Sequence, residues 1–310
     1  MRYAIIGPGA LGCLLAAALG DQHEVWLLDH DPTRAAQLNQ QQILLTKNGR
    51  ERPIPIRATA NPADLAGIDC GLLCVKSKAV AQALTRSLPG LGGCRLIIAF
   101  ENGIAHLEVI PALLQKIPWA VGVTGLGATL TGPGQIRFGG EGLTRMGFLA
   151  AEPDAPTIAL LTAVANDFRQ SGLPTEISMN ILGPIWDKLL INCGINALTA
   201  IRNCPNGDLL NDSETISMLT TAVKEGEAVA KTLGVSITPD PVERTMAVCR
   251  ATAANISSML QDVRRHRPTE IDAINGAVVH LAETLGLPSE MNRELTRQIR
   301  NLEESAPLFP

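Results

Sequence analysis

MRYAIIGPGALGCLLAAALG, residues 1–20, is the stretch that decides the fold. Its apolar run YAII (3–6) has the length and β-branched content of a buried strand. Gly7-Pro8-Gly9-Ala10-Leu11-Gly12 then matches G-x-G-x-x-G, and residues 10–20 read as a helix. Alone, the hexapeptide says little. Between a strand and a helix it describes a loop whose glycines permit a tight turn and let a pyrophosphate approach the backbone. Unpaired N–H groups at the helix start complete the anion site. A glycine-rich turn without a ligand is the alternative reading. A secretory signal is a poorer one, because Gly-Pro-Gly interrupts the apolar region where such a peptide needs continuity.

Working outward, EVWLLD (24–29) reads as a second strand and 32–40 as the next helix. A polar hairpin-like region follows. GLLCV (71–75) and RLIIAF (95–100) are two more apolar strands, with a helix over 78–88 between them. Apolar strands alternating with helices indicate a parallel sheet. Residues 120–150 are rich in Gly and Thr and read as further strands, some antiparallel, that extend the same sheet. A helix over 156–170 packs on it. Beyond Gly183 the strand signal stops, and helices are expected over 184–203, 213–233, 241–265, 270–285 and 289–303. The fold class is therefore α/β: a Rossmann-type dinucleotide-binding domain over 1–180, then an all-helical substrate and catalytic domain over 181–310.

Composition narrows the function. With 310 residues, 46% hydrophobic and 18% charged, the chain can bury a large core. A formal net charge of −4 and 3% aromatic content argue against nucleic acid as a partner. No segment reaches the about 18 uninterrupted apolar residues of a membrane span. Seven cysteines form no CxxC pair and no metal-ligand cluster, which suits reduced thiols in a cytoplasm and no metal.

Asp29 ends the second strand about 20 residues past the glycine loop, where an acid commonly binds the adenosine ribose hydroxyls and favours NAD. His30 and Arg34 follow and are able to meet a 2′-phosphate, so these residues leave the cofactor open. Lys76 ends GLLCV on the ligand side of a parallel sheet and is a candidate for cofactor phosphate or ribose; an exposed loop lysine is the alternative. Asn102-Gly103 ends the next strand. Its amide suits orienting a nicotinamide or a substrate, whereas an Asn-Gly turn is the plain reading.

A second pattern lies in WDKLLINCGINALTAIRNCPNG (186–207). Lys188, Asn192 and Asn196 fall at i, i+4 and i+8 of an otherwise apolar helix, so they share a face at steps of about 6 Å. A carbonyl that accepts hydride builds negative charge on oxygen, and an ammonium can donate both a hydrogen bond and a proton to it. Asparagines would hold a polar substrate without adding charge. Snorkelling and solvation are the structural alternatives. Ser257 and Ser258 are expected on one long helix. Glu270 is expected in the first turn of the next, where it either enters the site near Lys188 or merely serves the helix dipole beside a Thr269–Asp272 capping box.

These motifs, GxGALG at the N-terminus, Asn-Gly at 102–103, WxKLLINxxINALTAIxNCPNG at 186–207 and NISSMLQDVRxxRPTEIDxING at 255–276, resemble those of the ketopantoate reductases, also called 2-dehydropantoate 2-reductases. The resemblance spans essentially the whole chain. It implies a Rossmann-type domain joined to a helical domain and reduction of the keto acid 2-dehydropantoate to (R)-pantoate with NADPH, on the route to pantothenate and coenzyme A. By resemblance Lys188 is the proton donor. Asn102, Asn192, Asn196, Asn206 and Ser258 surround the substrate, and Glu270 contacts substrate or cofactor ribose. Gly7, Pro8, Gly9, Ala10, Leu11, Gly12, Lys76, Asn102 and Ala128 fall at cofactor positions. One departure bears on the cofactor: where NADPH-preferring members carry a basic residue, this chain has Asp29-His30-Asp31, which keeps NADH open. The assembly is left open, a homodimer being allowed. Two other readings stand beside this one: a related 2-keto acid or hydroxy-acid oxidoreductase, and a nucleotide-sensing protein without turnover.

Overall fold

The computed structural model describes residues 1–149 and 153–305; Ala150, the last residue of the stretch read as strands, lies outside them. The chain forms two compact units, Met1–Glu101 with His106–Ile181, and Asn102–Ala105 with Leu182–Pro310. The four residues 102–105 thus leave the first unit and pack with the helical one, an excursion that no linear boundary captures.

In the first unit the strands are β1 (Arg2–Ile6), β2 (Glu24–Leu28), β3 (Ile43–Lys47), β4 (Arg50–Ile54), β5 (Arg57–Thr59), β6 (Cys70–Leu73), β7 (Leu96–Ala99), β8 (Trp119–Thr124), β9 (Gly127–Gly132), β10 (Gln135–Gly140), β11 (Thr144–Gly147) and β12 (Thr175–Ile177). The helices are α1 (Ala10–Leu19), α2 (Pro32–Gln41), α3 (Val80–Ser87), α4 (His106–Leu113) and α5 (Ala155–Gln170). An eight-stranded sheet runs in the order β12-β11-β8-β7-β6-β1-β2-β5. It is parallel except where β11 returns against β8. The reason is visible in β1. Tyr3 and Ile5 enter one core with Cys13, Leu15, Val164 and Phe168, while Ala4 and Ile6 enter the other with Val80, Leu84 and Ile110. A strand buried on both faces must be apolar throughout, and helices must cover both sides.

The sequence reading needs correction at β9 and β10. These strands do not extend the main sheet; they join β3 and β4 in a separate four-stranded sheet of order β4-β3-β10-β9. Its centre is the parallel pairing of Leu44 to Thr46 with Gln135 to Arg137, a long-range contact that local pattern does not encode.

The second unit holds α6 (Leu182–Arg202), α7 (Ser213–Thr232), α8 (Pro241–Ala251), α9 (Ser258–Arg264), α10 (Asn275–Leu285) and α11 (Glu290–Glu304). Helix α6 packs against α7, α8, α9 and α11. Close approach is allowed by glycine: a Cβ at Gly194 would lie 2.8 Å from Val223 and 2.9 Å from Thr245. Two expectations fail here. The single helix over 241–265 is broken at 252–257, and Ser257 caps the new helix, its Oγ accepting from the Leu260 N–H at 3.1 Å. The capping box at Thr269 and Asp272 is absent. Thr269 Oγ1 accepts from Ile271 N, Asp272 pairs with Arg300, and Glu270 opens only a 3-10 turn, Ile271–Ala273.

Candidate functional site

Two groups of residues carry chemistry, one in each unit. In the first, the chain leaves β1 through Gly7 at φ +107°, a conformation L side chains rarely adopt. At Gly12 the constraint is packing: a Cβ there would sit 2.1 Å from the Gly7 carbonyl oxygen. Helix α1 then starts with no side-chain cap at Gly9. The N–H groups of its first turn have no intrahelical acceptor, and residues 7–11 are partly exposed. This loop fits a dinucleotide pyrophosphate, with Gly7, Pro8, Gly9, Ala10, Leu11 and Gly12 as its frame. Lys76 follows β6 and opens the 3-10 turn Ser77–Ala79, half-buried. Ala128 lies on β9, opposite Phe138.

The end of β2 differs from the plain expectation for an acid that reads ribose. The Asp29 side chain is 0% exposed. Its Oδ1 accepts from the Asp31 N–H at 3.0 Å, and Arg34 donates to both carboxylate oxygens through Nε and Nη2. His30, 76% exposed, brings Nδ1 to 3.3 Å from Oδ1. Asp31 caps α2, accepting from the Thr33 N–H at 2.8 Å, which sets Arg34 in the first helical turn facing the strand end. Arg86, from α3, donates to the carbonyls of His30 and Ala60 at 2.8 and 3.0 Å. The Asp-x-Asp-Pro-x-Arg spacing carries a local signal for Arg34. Arg86 has none, since its place follows from the sheet order.

In the second unit, Gly103 at φ +77° lets 102–105 run against the turn at Ala273, where a Cβ would fall 2.0 Å from the Ala273 oxygen. Asn102 thereby reaches Glu270, its Nδ2 donating to Oε2 at 2.8 Å. Asn102 and Gly103 thus lie in a bend, and the Asn102 amide is held on a carboxylate. Glu270 in turn acts on Lys188. Burial pushes the Lys188 ammonium down to about 8 from the ordinary 10.5, and the Glu270 charge resists that fall. Part of Lys188 reaches the surface, yet its ammonium is packed deeply enough for desolvation to win. Among the described residues it donates no hydrogen bond, so its protons are available.

Asn192 and Asn196 continue the Lys188 face of α6, half-buried and buried respectively. Asn206 Nδ2 donates to Thr252 Oγ1 at 2.8 Å, while its Oδ1 is buried and accepts from no donor among the described residues. Its backbone N–H bonds the Asn255 carbonyl at 3.0 Å. Ser258, at the start of α9, is exposed; buried Ser257 beside it accepts from Thr199 Oγ1 at 2.7 Å. A hydrogen bond thus joins Asn102 to Glu270, Lys188 lies within electrostatic reach of that carboxylate, and Asn206 is bonded to Thr252 and Asn255.

Comparison with known proteins gives this geometry a family. The model of the ketopantoate reductase PanE/ApbA family matches residues 3–151, and that of its C-terminal domain matches 180–303. A 2-dehydropantoate 2-reductase of Vibrio cholerae is 34% identical, covering 98% of this chain and 99% of that protein. Among solved structures, a PanE/ApbA family ketopantoate reductase from Ralstonia eutropha JMP134 is 29% identical with a TM-score of 0.88, covering 98% and 99% of the two chains. D-mandelate dehydrogenase, solved with NADH and anilino(oxo)acetate, is 26% identical with a TM-score of 0.88 over the same shares. The chain belongs to the ketopantoate reductase family.

Proposed function

We propose that this protein reduces the ketone of 2-dehydropantoate to (R)-pantoate with a reduced nicotinamide dinucleotide, NADPH before NADH, in a cytoplasm that keeps its seven cysteines as thiols. The observation that carries the reading is Lys188: an ammonium held near 8, with Glu270 as its electrostatic partner and Asn102 bonded to that carboxylate. Residues Gly7 to Gly12 would hold the reduced dinucleotide, and the chemistry it would supply is hydride for the carbonyl carbon. As charge develops on the ketone oxygen, the Lys188 ammonium stabilises it and passes a proton to it. Glu270 keeps Lys188 in its acid form near neutral pH. Asn192 and Asn196, on the same face of α6, offer amide donors to a keto acid without changing the charge.

The test is the loss of reduced-cofactor absorbance with 2-dehydropantoate, with NADPH and NADH run in parallel. Turnover is expected, and Lys188→Ala is expected to cut kcat about 10²- to 10⁴-fold. No oxidation of either cofactor, or a folded Lys188→Ala protein with normal turnover, refutes the reading. The likeness to D-mandelate dehydrogenase supports a second reading, a 2-hydroxy acid oxidoreductase of the same architecture. It gains if aryl or branched 2-keto acids are reduced with higher kcat/KM than 2-dehydropantoate.

A further inference from the structure

The helical unit holds a chain of buried polar side chains that the chemistry described so far does not use. Asn275 and Asn292 are 0% exposed, and Glu225 is buried beside them. Glu225, on α7, accepts from the Met291 and Asn292 N–H groups, both at 2.9 Å, and from Asn292 Nδ2 at 2.7 Å. Asn292 Nδ2 also donates to the Ala222 carbonyl at 2.9 Å, and Asn292 Oδ1 accepts from Asn275 Nδ2 at 2.9 Å. Asn275 Nδ2 donates in addition to the Cys193 carbonyl on α6, at 3.1 Å. Side chains of α7, α11 and α10 are thereby linked to the backbone of α6.

Part of this chain has a plain structural use. Helix α11 has no side-chain cap at Ser289, and the Glu225 carboxylate serves its first-turn N–H groups instead. That accounts for Glu225 and Asn292 but not for Asn275. The Asn275 amide spends both of its donor hydrogens outside α10, while its Oδ1 accepts from no donor among the described residues. Burying an amide with an unused oxygen costs stability that an apolar side chain would not cost. What its donors accomplish is to tie the start of α10 to one turn of α6. Cys193 follows Asn192 and lies five residues past Lys188, and Asn275 lies five residues past Glu270. The Glu270 carbonyl accepts from the Ala273 and Ile274 N–H groups, each at 3.1 Å, so a hydrogen-bonded turn connects Glu270 to Asn275. The same turn meets 102–105, where the Ile104 N–H donates to the Ala273 carbonyl at 3.4 Å.

We propose that Asn275 is a positioning residue whose amide anchors the Glu270 turn to α6 and so keeps that carboxylate at its working distance from Lys188. The proposal rests on the reading of Lys188 and Glu270 as a functional pair. In this role Asn275 acts through Glu270, the charged group whose field supports the Lys188 ammonium against burial.

Protein whose lysines are isotopically labelled at Cε reports the Lys188 titration by NMR with no substrate present; the signal is assigned by its loss in Lys188→Met. In Asn275→Ala the Lys188 midpoint should move to lower pH. Its kcat should fall about 10- to 100-fold, while KM for the reduced cofactor holds. Val235→Ala, a buried position of the same core outside this chain of bonds, should lose stability and keep both readouts. Adding Asn275→Ala to Glu270→Gln should leave the midpoint where Glu270→Gln alone puts it, because the two changes act on one interaction. Asn275→Ser retains a single hydroxyl donor and should give a smaller shift; it serves where the alanine variant does not fold. A folded Asn275→Ala protein, or failing that a folded Asn275→Ser protein, with an unchanged midpoint overturns the proposal. A further shift in the Glu270→Gln background does so too. If the midpoint moves as expected but the unsubstituted protein oxidises no reduced cofactor with any 2-keto acid, the positioning role stands and the reductase reading falls.

Discussion

Asn102 and Glu270, 168 residues apart in the chain, share a hydrogen bond of 2.8 Å inside the helical unit. The bond fixes a carboxylate whose charge raises the proton affinity of Lys188 against the effect of burial. Opposed forces of this kind put a general acid close to neutral pH, where it both holds its proton and gives it up readily.

The reduction rate should therefore fall on the alkaline side with a limb near pH 8, where the Lys188 ammonium loses its proton. Glu270→Gln removes the charge that props this value up while leaving a carbonyl for Asn102. The limb should move to lower pH, and activity at pH 7 should fall accordingly. Profiles of kcat/KM against pH for both proteins check this. A limb that stays in place shows that Glu270 acts on the substrate alone.

How much of this was legible in the sequence differs by element. The glycine loop and the strands β1, β2, β6 and β7 announce themselves because apolar runs buried on both faces carry a strong local pattern. The helix bearing Lys188, Asn192 and Asn196 was equally plain, since spacing on one helix is local geometry. The break at 252–257 was not, because apolar periodicity continues through it. What interrupts the helix is the pairing of the Asn255 and Ala253 carbonyls with the N–H groups of Asn206 and Gly207, far away in sequence. Glu270 was ambiguous for a similar reason: a first-turn acid and a site carboxylate share one local pattern, and its bond to Asn102 spans 168 residues. At Asp29 the pattern left the cofactor open, because its meaning depends on whether Arg34 covers the carboxylate, as it does here.

Gly103 offers a test of how the 102–105 excursion is held. At φ +77° an alanine is strained by about 1 kcal/mol, and its Cβ would also fall 2.0 Å from the Ala273 oxygen. Gly172 has the same φ of +77° with nothing within 4 Å, so Gly172→Ala carries the strain alone. Gly103→Ala should be the less stable of the two in denaturant melts and should lose kcat/KM by at least about tenfold, while Gly172→Ala keeps it. Equal stability and equal activity in the two variants would mean that the backbone at Ala273 yields at no cost, and that Asn102 does not depend on this approach.

Lys188 should also reveal itself through stability. Its folded-state value near 8 lies below the 10.5 of an exposed lysine, so between those two pH values the unfolded chain binds more protons than the folded one. Stability contributed at this position therefore rises with pH across that window, and the cost of the buried ammonium is complete below about 8. Lys188→Met keeps a straight apolar chain, removes the charge and leaves Glu270 bonded to Asn102. At pH 7 the variant should be more stable by an amount on the order of 1 kcal/mol, although it has lost its turnover. The advantage should shrink as pH climbs toward 10.5, where the unsubstituted folded chain already carries a neutral amine. Urea melts of both proteins at pH 7 and at pH 10.5 measure the difference. A Lys188→Met protein less stable at pH 7, or one whose difference from the parent ignores pH, would mean that the ammonium is solvated and that no desolvated acid exists on α6.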